Sequence, residues 1–373
     1  MASEAAGPEY DCALMRAALA LARRGLGTVW PNPAVGCVIA AGGRVVGRGW
    51  TQPGGRPHAE TEALARAGER ARGGTAYVSL EPCAHWGKTP PCAEALVAAG
   101  IGRVVAALED PDPRVAGRGL RRLAEAGVAV DSGLCGEEAA EINAGFLCRV
   151  RLGRPLVTLK LATTLDGRIA TANGESRWIT GPQARERAHL LRAAHDAVLV
   201  GTGTVLADDP QLTCRLPGLG ARSPVRIVLD ARLRIPSDAQ VVAAARQIPT
   251  WLLTLPGADP ARRARLIDDG VAVIEVPPDP AGGLDLAAAL RALGGRGLTW
   301  LLVEGGARLA ASLLRAGLVD RLAWFHAPLL LGGDGVPAIA GFGLEALAEA
   351  PGFVRAAVEE VGADVLTTFR AVG

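Results

Sequence analysis

Short β-branched runs alternate with Ala- and Leu-rich stretches along nearly all of the 373 residues, and the alternation breaks once, near the middle. Such a pattern restricts the chain to α/β folds, in which sheets bury their faces under helices. In the first half, helices are predicted over 11–24, 59–72, 92–99, 119–126 and 137–146. Strands are predicted over 35–40, 44–50, 75–80, 103–108 and 128–130, the first two joined by Gly42-Gly43, a hairpin signal. A hairpin followed by strand–helix alternation implies a mixed sheet with helices on both faces. Arg149, Arg151, Gly153, Arg154 and Pro155 then interrupt the apolar pattern. At about ~150 residues per domain, two domains are expected, 1–148 and 149–373. The second repeats the α/β theme, with strands over 156–162, 197–200, 225–230, 250–254, 271–274, 298–303, 321–327 and 364–370. Its helices are expected over 182–194, 259–268, 284–293 and 307–316.

Forty basic and thirty-eight acidic side chains leave a net charge of +2, against a surface that tracks a phosphate backbone. No apolar run approaches the ~18–20 residues of a membrane span. The start of the chain carries Glu4 and Glu9 in place of a basic segment ahead of an apolar one, so no signal peptide is expected. Seven cysteines without an export signal argue against a disulfide framework and for thiol or metal chemistry in the cytoplasm.

His58-Ala59-Glu60, Pro82-Cys83 and Cys92 carry that chemistry. His58 stands where the 53–57 loop enters a helix, and each cysteine follows a proline at a loop-to-helix turn. One imidazole and two thiolates complete three corners of a tetrahedral zinc site and leave the fourth for water. Such a zinc lowers the pKa of its water toward ~7. Glu60, two residues from His58, is placed to shuttle protons from that water to a ring nitrogen and leaving ammonia, the signature of the zinc deaminases. Cys12, Cys37, Cys135, Cys148 and Cys214 have no partners at ligand spacing. His85 is an alternative ligand or a wall of the pocket. Eight residues separate Cys83 from Cys92, where base-flipping deaminases have two. The longer loop carries Trp86, Lys88 and Thr89, which suit a small polar or phosphorylated heterocycle better than a polynucleotide. A nucleic-acid-acting deaminase with an appended nucleotide-binding module is the alternative reading.

The second half is less explicit. Val303-Glu304-Gly305-Gly306 closes a strand and opens a helix, a place where backbone amides cradle phosphate or merely turn. Val200-Gly201-Thr202-Gly203-Thr204 gives a second strand-to-Gly edge, but no Gly-x-Gly-x-x-Gly fingerprint, which disfavours a Rossmann domain. Taken singly, Asn32 is equally a turn residue, Lys88 a solvated loop charge, Arg192 an exposed helix charge and Asp208 a cap.

Pro31-Asn-Pro-Ala-Val-Gly-Cys-Val38, His58-Ala-Glu60 and the stretch Glu81-Pro-Cys-Ala-His-Trp-Gly-Lys-Thr-Pro-Pro-Cys92 resemble the deaminase domain of the bifunctional riboflavin-biosynthesis deaminase/reductases. Lys160-Leu-Ala-Thr-Thr-Leu-Asp-Gly167, Gly174-Glu-Ser-Arg-Trp-Ile-Thr180, Leu206-Ala-Asp-Asp-Pro-Gln-Leu-Thr213 and Val303-Glu-Gly-Gly306 resemble the reductase domain of the same family, in the same order. The resemblance implies a cytidine-deaminase-like three-layer α/β/α domain followed by a dihydrofolate-reductase-like α/β domain. It implies zinc-dependent removal of the 2-amino group of a phosphoribosylamino-diaminohydroxypyrimidine, then NADPH reduction of the ribosyl group to ribityl. By the same resemblance Asn32, Lys88 and Thr89 bind the deaminase substrate. Ala162, Trp178, Thr204, Asp208, Gly306, Ala307, Arg308, Leu309, Ala310, Ala311 and Ser312 would contact NADPH. Ser176, Arg192, Leu212, Arg215 and Glu304 would contact the reductase substrate, the guanidinium groups of Arg192 and Arg215 suiting a ribose 5-phosphate. Lys160 would orient either molecule. Ala84 and Ala231 stand where serine is frequent in the family. The partners implied are small phosphorylated pyrimidines and a second copy of the chain, with neither nucleic acid nor membrane.

Overall fold

In the computed structural model, which describes residues 7–86 and 90–372, the chain divides between Gly153 and Arg154 into two units. In order, the first contains α1 (Pro8–Ala22), β1 (Gly36–Ala41), β2 (Arg44–Trp50), α2 (Ala59–Ala67), β3 (Thr75–Val78), α3 (Cys92–Ala98), β4 (Arg103–Ala106), α4 (Arg118–Glu125), β5 (Ala129–Ser132), α5 (Gly136–Ile142) and α6 (Ala144–Leu152). Pro8 in the first turn, with Glu9 and Asp11 beside the positive end of the dipole, starts α1. Gly42 and Gly43 both have positive φ, the condition for a tight two-residue turn between β1 and β2.

The sheet order is β2-β1-β3-β4-β5, with β1 antiparallel to both neighbours and β3, β4 and β5 parallel. This is the mixed sheet expected. Met15, Leu19, Tyr77, Val105 and Ile142 pack one face, and Ala59, Ala63, Leu96, Val104 and Leu123 the other. The helix expected over 137–146 is two, broken at Asn143. The buried Asn143 amide turns to the backbone of Ala34, accepting from its N–H at 2.9 Å and donating to its carbonyl at 3.1 Å. The domain boundary also moves: residue 148 lies inside α6, which runs on to Leu152 and ends at Gly153 in the left-handed region.

Glycine sets how closely α2 approaches the hairpin. A Cβ on Gly47 would lie 2.2 Å from the Ala63 carbonyl oxygen, and one on Gly49 only 2.1 Å from that of Ala59. Ala59, Ala63 and Ala67, one helical turn apart, form the facing stripe, so helix and strand meet backbone to backbone. His58 is the residue just before this helix, and Glu60 lies in its first turn.

The second unit contains β6 (Leu156–Thr164), β7 (Arg168–Ala170), α7 (Pro182–Ala194), β8 (Ala197–Gly201), α8 (Thr202–Asp208), β9 (Val225–Leu229), α9 (Gln240–Ala243), β10 (Thr250–Thr254), α10 (Pro260–Asp268), β11 (Ala272–Glu275), α11 (Leu286–Gly295), β12 (Trp300–Val303), α12 (Ala307–Arg315), β13 (Arg321–Ala327), β14 (Val336–Pro337), β15 (Phe353–Val361) and β16 (Asp364–Ala371). Its nine-stranded sheet runs β11-β10-β9-β8-β12-β6-β13-β16-β15, parallel from β11 to β13 and antiparallel at the last two strands. The buried Asp196 carboxylate accepts hydrogen bonds from the Thr299 N–H and hydroxyl and the Trp300 N–H, joining β8 to β12. β15 was not legible in the sequence. It is an edge strand exposed along most of its length, so no apolar run marks it. The 201–204 stretch continues directly into α8, whose Thr202 hydroxyl donates to the Leu229 carbonyl. No helix among the described residues is long and apolar enough to cross a membrane.

The Gly49→Ala variant is expected to push α2 off the hairpin, lowering first-unit stability by about 1–3 kcal/mol, as overpacking does. Displacing His58 should also reduce zinc content. Denaturant unfolding with metal analysis checks this; unchanged stability and full zinc would contradict the packing argument.

Candidate active sites

Three ligating atoms converge in the first unit. His58 Nδ1 lies 3.3 Å from Cys92 Sγ and 3.7 Å from Cys83 Sγ, and all three atoms lie within 4.8 Å of one another. Zn–S bonds of ~2.3 Å and Zn–N bonds of ~2.1 Å at the tetrahedral angle put neighbouring donors about ~3.5 Å apart. The spacing and the donor chemistry therefore fit zinc. His58 caps α2, Cys92 is the first residue of α3, and Cys83 comes from the loop after β3. The Cys92 N–H donates to Cys83 Sγ at 3.3 Å, stabilising a thiolate there. Hydrogen bonds from Cys92 and His58 draw the Cys83 thiol down to about 4, while its neighbour's thiol pushes Cys92 up. The His58 imidazole is raised, chiefly by its hydrogen bond with Cys83.

Glu60 is buried beside this cluster. Burial, then the Cys83 charge, raises its carboxyl to about 7. His85 is not among the three converging residues; its Nδ1 is buried without a hydrogen-bond partner. Asn32 donates from Nδ2 to the Gly55 carbonyl at 2.8 Å, which ties it to the loop entering His58 and commits one of its amide hydrogens. Lys88 and Thr89 lie outside the described residues. Sequence reading missed Glu81, beside the Pro82-Cys83 turn. Its buried carboxylate accepts the backbone N–H groups of Asp110, Gly117, Gly119 and Leu120 at 2.8–3.3 Å. Gly119 packs against the Pro82 carbonyl, where a Cβ would come within 1.9 Å. The cysteine loop is thereby fastened to the start of α4.

The second unit has two adjoining clefts, of about 700 and 930 Å³, at the carboxyl ends of the parallel strands. Lys160, Ala162, Ser176, Thr204, Asp208 and Glu304 line both and mark their seam. The first cleft adds Trp178, Arg192, Leu212 and Arg215; the second adds Gly306, Ala307, Arg308, Leu309 and Ser312. Three expected cofactor contacts differ. Ala310 and Ala311 are buried on the inner face of α12 and line neither cleft. Trp178 lines the first cleft and not the second, with the Arg185 guanidinium 4.6 Å above its ring.

Arg192 is also not the free cation expected for a ribose phosphate. Its Nε and Nη2 pair with both oxygens of Glu304 at 2.6 and 2.9 Å, and its Nη1 donates to the Thr213 carbonyl. Burial alone would raise the Glu304 carboxyl, yet Arg192 and Lys160 bring it down to about 2. Burial lowers the Lys160 ammonium. Leu212 is buried with φ +56°, a left-handed conformation costly for a branched residue, in the wall of the first cleft.

Residues 155–367 match the model of the RibD C-terminal domain, and residues 8–108 that of the cytidine and deoxycytidylate deaminase zinc-binding region. The riboflavin biosynthesis protein RibD of Escherichia coli is 47% identical over 362 residues, 94% of this chain and 96% of that one. The chain belongs to the RibD family. The structure of Acinetobacter baumannii RibD is similar, with TM-score 0.89 and 39% identity over 98% of this chain and 100% of that one. A diaminohydroxyphosphoribosylaminopyrimidine deaminase/5-amino-6-(5-phosphoribosylamino)uracil reductase from Thermotoga maritima gives TM-score 0.85 and 33% identity over 98% and 99%. As a RibD-family protein the chain is a bifunctional enzyme of riboflavin biosynthesis, with a zinc-binding deaminase domain and a reductase domain of the kind that uses a nicotinamide cofactor.

Within this RibD reductase domain, sequence reading missed Arg185 and His189, which line the first cleft with Arg192. Their spacing of four and then three residues along α7 puts all three on one helix face, a signal legible in hindsight. The Arg192–Glu304 pair gives a pH prediction. The Glu304 carboxyl drops from 4.5 unfolded to about 2 folded, so the unfolded state takes up its proton first. Its contribution, roughly 3 kcal/mol, is present above pH 4.5 and lost as pH falls toward 2. Glu304→Gln should cost about 3–5 kcal/mol near pH 7 by leaving Arg192 unpaired. That gap should narrow in acid, measured by denaturant unfolding of both proteins; a gap independent of pH would contradict the ion-pair assignment.

Proposed function

We propose that the first unit hydrolyses the 2-amino group from 2,5-diamino-6-ribosylamino-4(3H)-pyrimidinone 5′-phosphate. The second then reduces the ribosyl group of the resulting 5-amino-6-(5-phosphoribosylamino)uracil to ribityl with NADPH. The observation that carries this reading is the convergence of one imidazole and two thiolates, three donors rather than the four of a structural site, next to a buried carboxylate. The reading places residues 1–148 in the deaminase and 149–373 in the reductase, refined to a division at Gly153. It places the protein in the cytoplasm as a homo-oligomer, which the open edge strand β15 supports with exposed Val354 and Val358.

In the deaminase, His58, Cys83 and Cys92 hold zinc, which supplies the Lewis acidity that makes water nucleophilic at neutral pH. Glu60 would carry one proton of the attacking water to the ring nitrogen, and then the second, from the newly added hydroxyl, to the amino group that leaves as ammonia. Its raised pKa suits a group that must carry a proton in both directions. Asn32, Lys88 and Thr89 hold the pyrimidine and its phosphate. In the reductase, NADPH supplies the hydride. Gly306 and the first turn of α12 receive the cofactor phosphates at a helix N-terminus. Lys160 and Glu304 stand at the seam of the clefts, where the two reactants meet. Ser176, Leu212 and Arg215 line the substrate side, and Arg192 keeps Glu304 ionised while adding positive charge to that wall.

The test uses the purified chain and the diaminopyrimidine phosphate, following ammonia release and loss of NADPH absorbance. Glu60→Gln is expected to retain zinc, and to keep reductase turnover when supplied directly with the deaminated product, while deamination slows roughly 10²–10⁴-fold. Undiminished ammonia release in that variant would remove Glu60 from the mechanism.

A further inference from the structure

Two thiols outside the zinc site meet although their sequence positions are far apart. Cys12 lies in the second turn of α1, and Cys135 immediately precedes α5. Both are half-buried and free. Along α1, Asp11, Met15 and Leu19 face inward; along α5, Ala139 and Ile142 do. Cys12 and Arg16, one helical turn apart, stand on the flank of α1. Cys135 and Glu138, three residues apart, do the same at the start of α5. Arg16 Nε donates to Glu138 Oε1 at 3.4 Å, which sets the two flanks side by side. The cysteines form the next rung of that ladder, with the Cys135 thiol in hydrogen-bond contact with that of Cys12.

Two features give this pair a chemistry of its own. Cys135 has φ +57°, a conformation that glycine adopts without strain, and it is held there with its thiol against Cys12. Among the described residues only His58, Cys83 and Cys92 form a cluster of three metal donors. Two thiols with no third donor beside them suit oxidation rather than metal binding.

We propose that Cys12 and Cys135 are a reversible oxidation site, converted by a low-molecular-weight disulfide into a disulfide that joins α1 to α5. One cysteine thiolate attacks a sulfur of the small disulfide and expels one thiol. The second cysteine, once deprotonated, attacks the resulting mixed disulfide and expels the other. Two thiols of the protein are thereby oxidised as one small disulfide is reduced to two thiols. In a reducing compartment such a bond forms and breaks with the redox state rather than serving as a permanent strut. The helices it joins are the supports of the segment that carries Asn32. α1 runs into that segment, and α5 ends at Asn143, whose amide holds the Ala34 backbone. The bond closes a long loop and constrains the unfolded chain, so the oxidised first unit resists unfolding. No zinc ligand takes part.

The test incubates the reduced, zinc-loaded full-length protein with oxidised glutathione and then digests it without reduction. The peptides that hold Cys12 and Cys135 should be found joined, and the thiol count of the denatured protein should fall by two from seven. Denaturant unfolding of the first unit is followed by release of zinc to a chromophoric chelator. Oxidation should lower the unfolding equilibrium constant at least about tenfold. The effect should be reversed by dithiothreitol and be absent from Cys12→Ser and Cys135→Ser. Ammonia release by both variants should match that of the unaltered enzyme, which reports an intact fold. Glutathione left on either cysteine, a bond to Cys83 or Cys92, or a bond between two copies of the chain overturns the proposal. So does a joined pair that leaves zinc release unshifted.

Discussion

Two helix starts, set side by side by the packing of α2 and α3 against one sheet, are the constraint on which the deaminase depends. His58 precedes the first turn of α2, and Cys92 opens α3. The Cys92 N–H at the start of α3 donates to Cys83 Sγ, so the Cys83 thiolate is stabilised before any metal arrives. The third donor, Cys83, is brought in by a loop that Glu81 fastens to the opening of α4 through three backbone amides, with a fourth, that of Asp110, in the loop after β4. None of these devices is chemical in the sense of the reaction. Each fixes a backbone so that a side chain reaches the metal position without searching for it.

The second unit solves a different problem. Its seam holds charge away from water. Glu304 is buried and ionised because Arg192 neutralises it through a two-point pair, and Lys160 shares the same field. Set against a well-packed apolar replacement of both partners, a buried pair of this kind adds little stability, but removal of either partner alone is costly. The strained Leu212 backbone lies in the same wall, in keeping with strain held at working sites by a surrounding that over-determines it.

The α/β character of both units, the hairpin and the zinc residues were legible because each rests on a local signal: strand–helix alternation, Gly42-Gly43, His-Ala-Glu and Pro-Cys. The strand expected over 321–327 and that over 250–254 have the observed bounds. What was not legible depends on contacts remote in sequence. The break at Asn143 is made by Ala34, and edge strand β15 is defined by pairing with β16 rather than by its own pattern. Arg192 reads as a helix charge until Glu304, just after β12, is placed beside it. Ala310 and Ala311 are implied as cofactor contacts by the family resemblance, and helical period turns their side chains to the inner face of α12.

X-ray absorption at the zinc edge of the purified protein, recorded beside a His85→Ala variant, tests the central claim most directly. The account predicts one zinc per chain in a shell of two sulfurs at about ~2.3 Å and two lighter atoms at about ~2.0–2.1 Å. One of the lighter atoms is an imidazole nitrogen and the other an exchangeable oxygen, in a spectrum that His85→Ala leaves unaltered. A second imidazole in that shell, or a spectrum changed by the loss of His85, would mean a closed structural site and would contradict it.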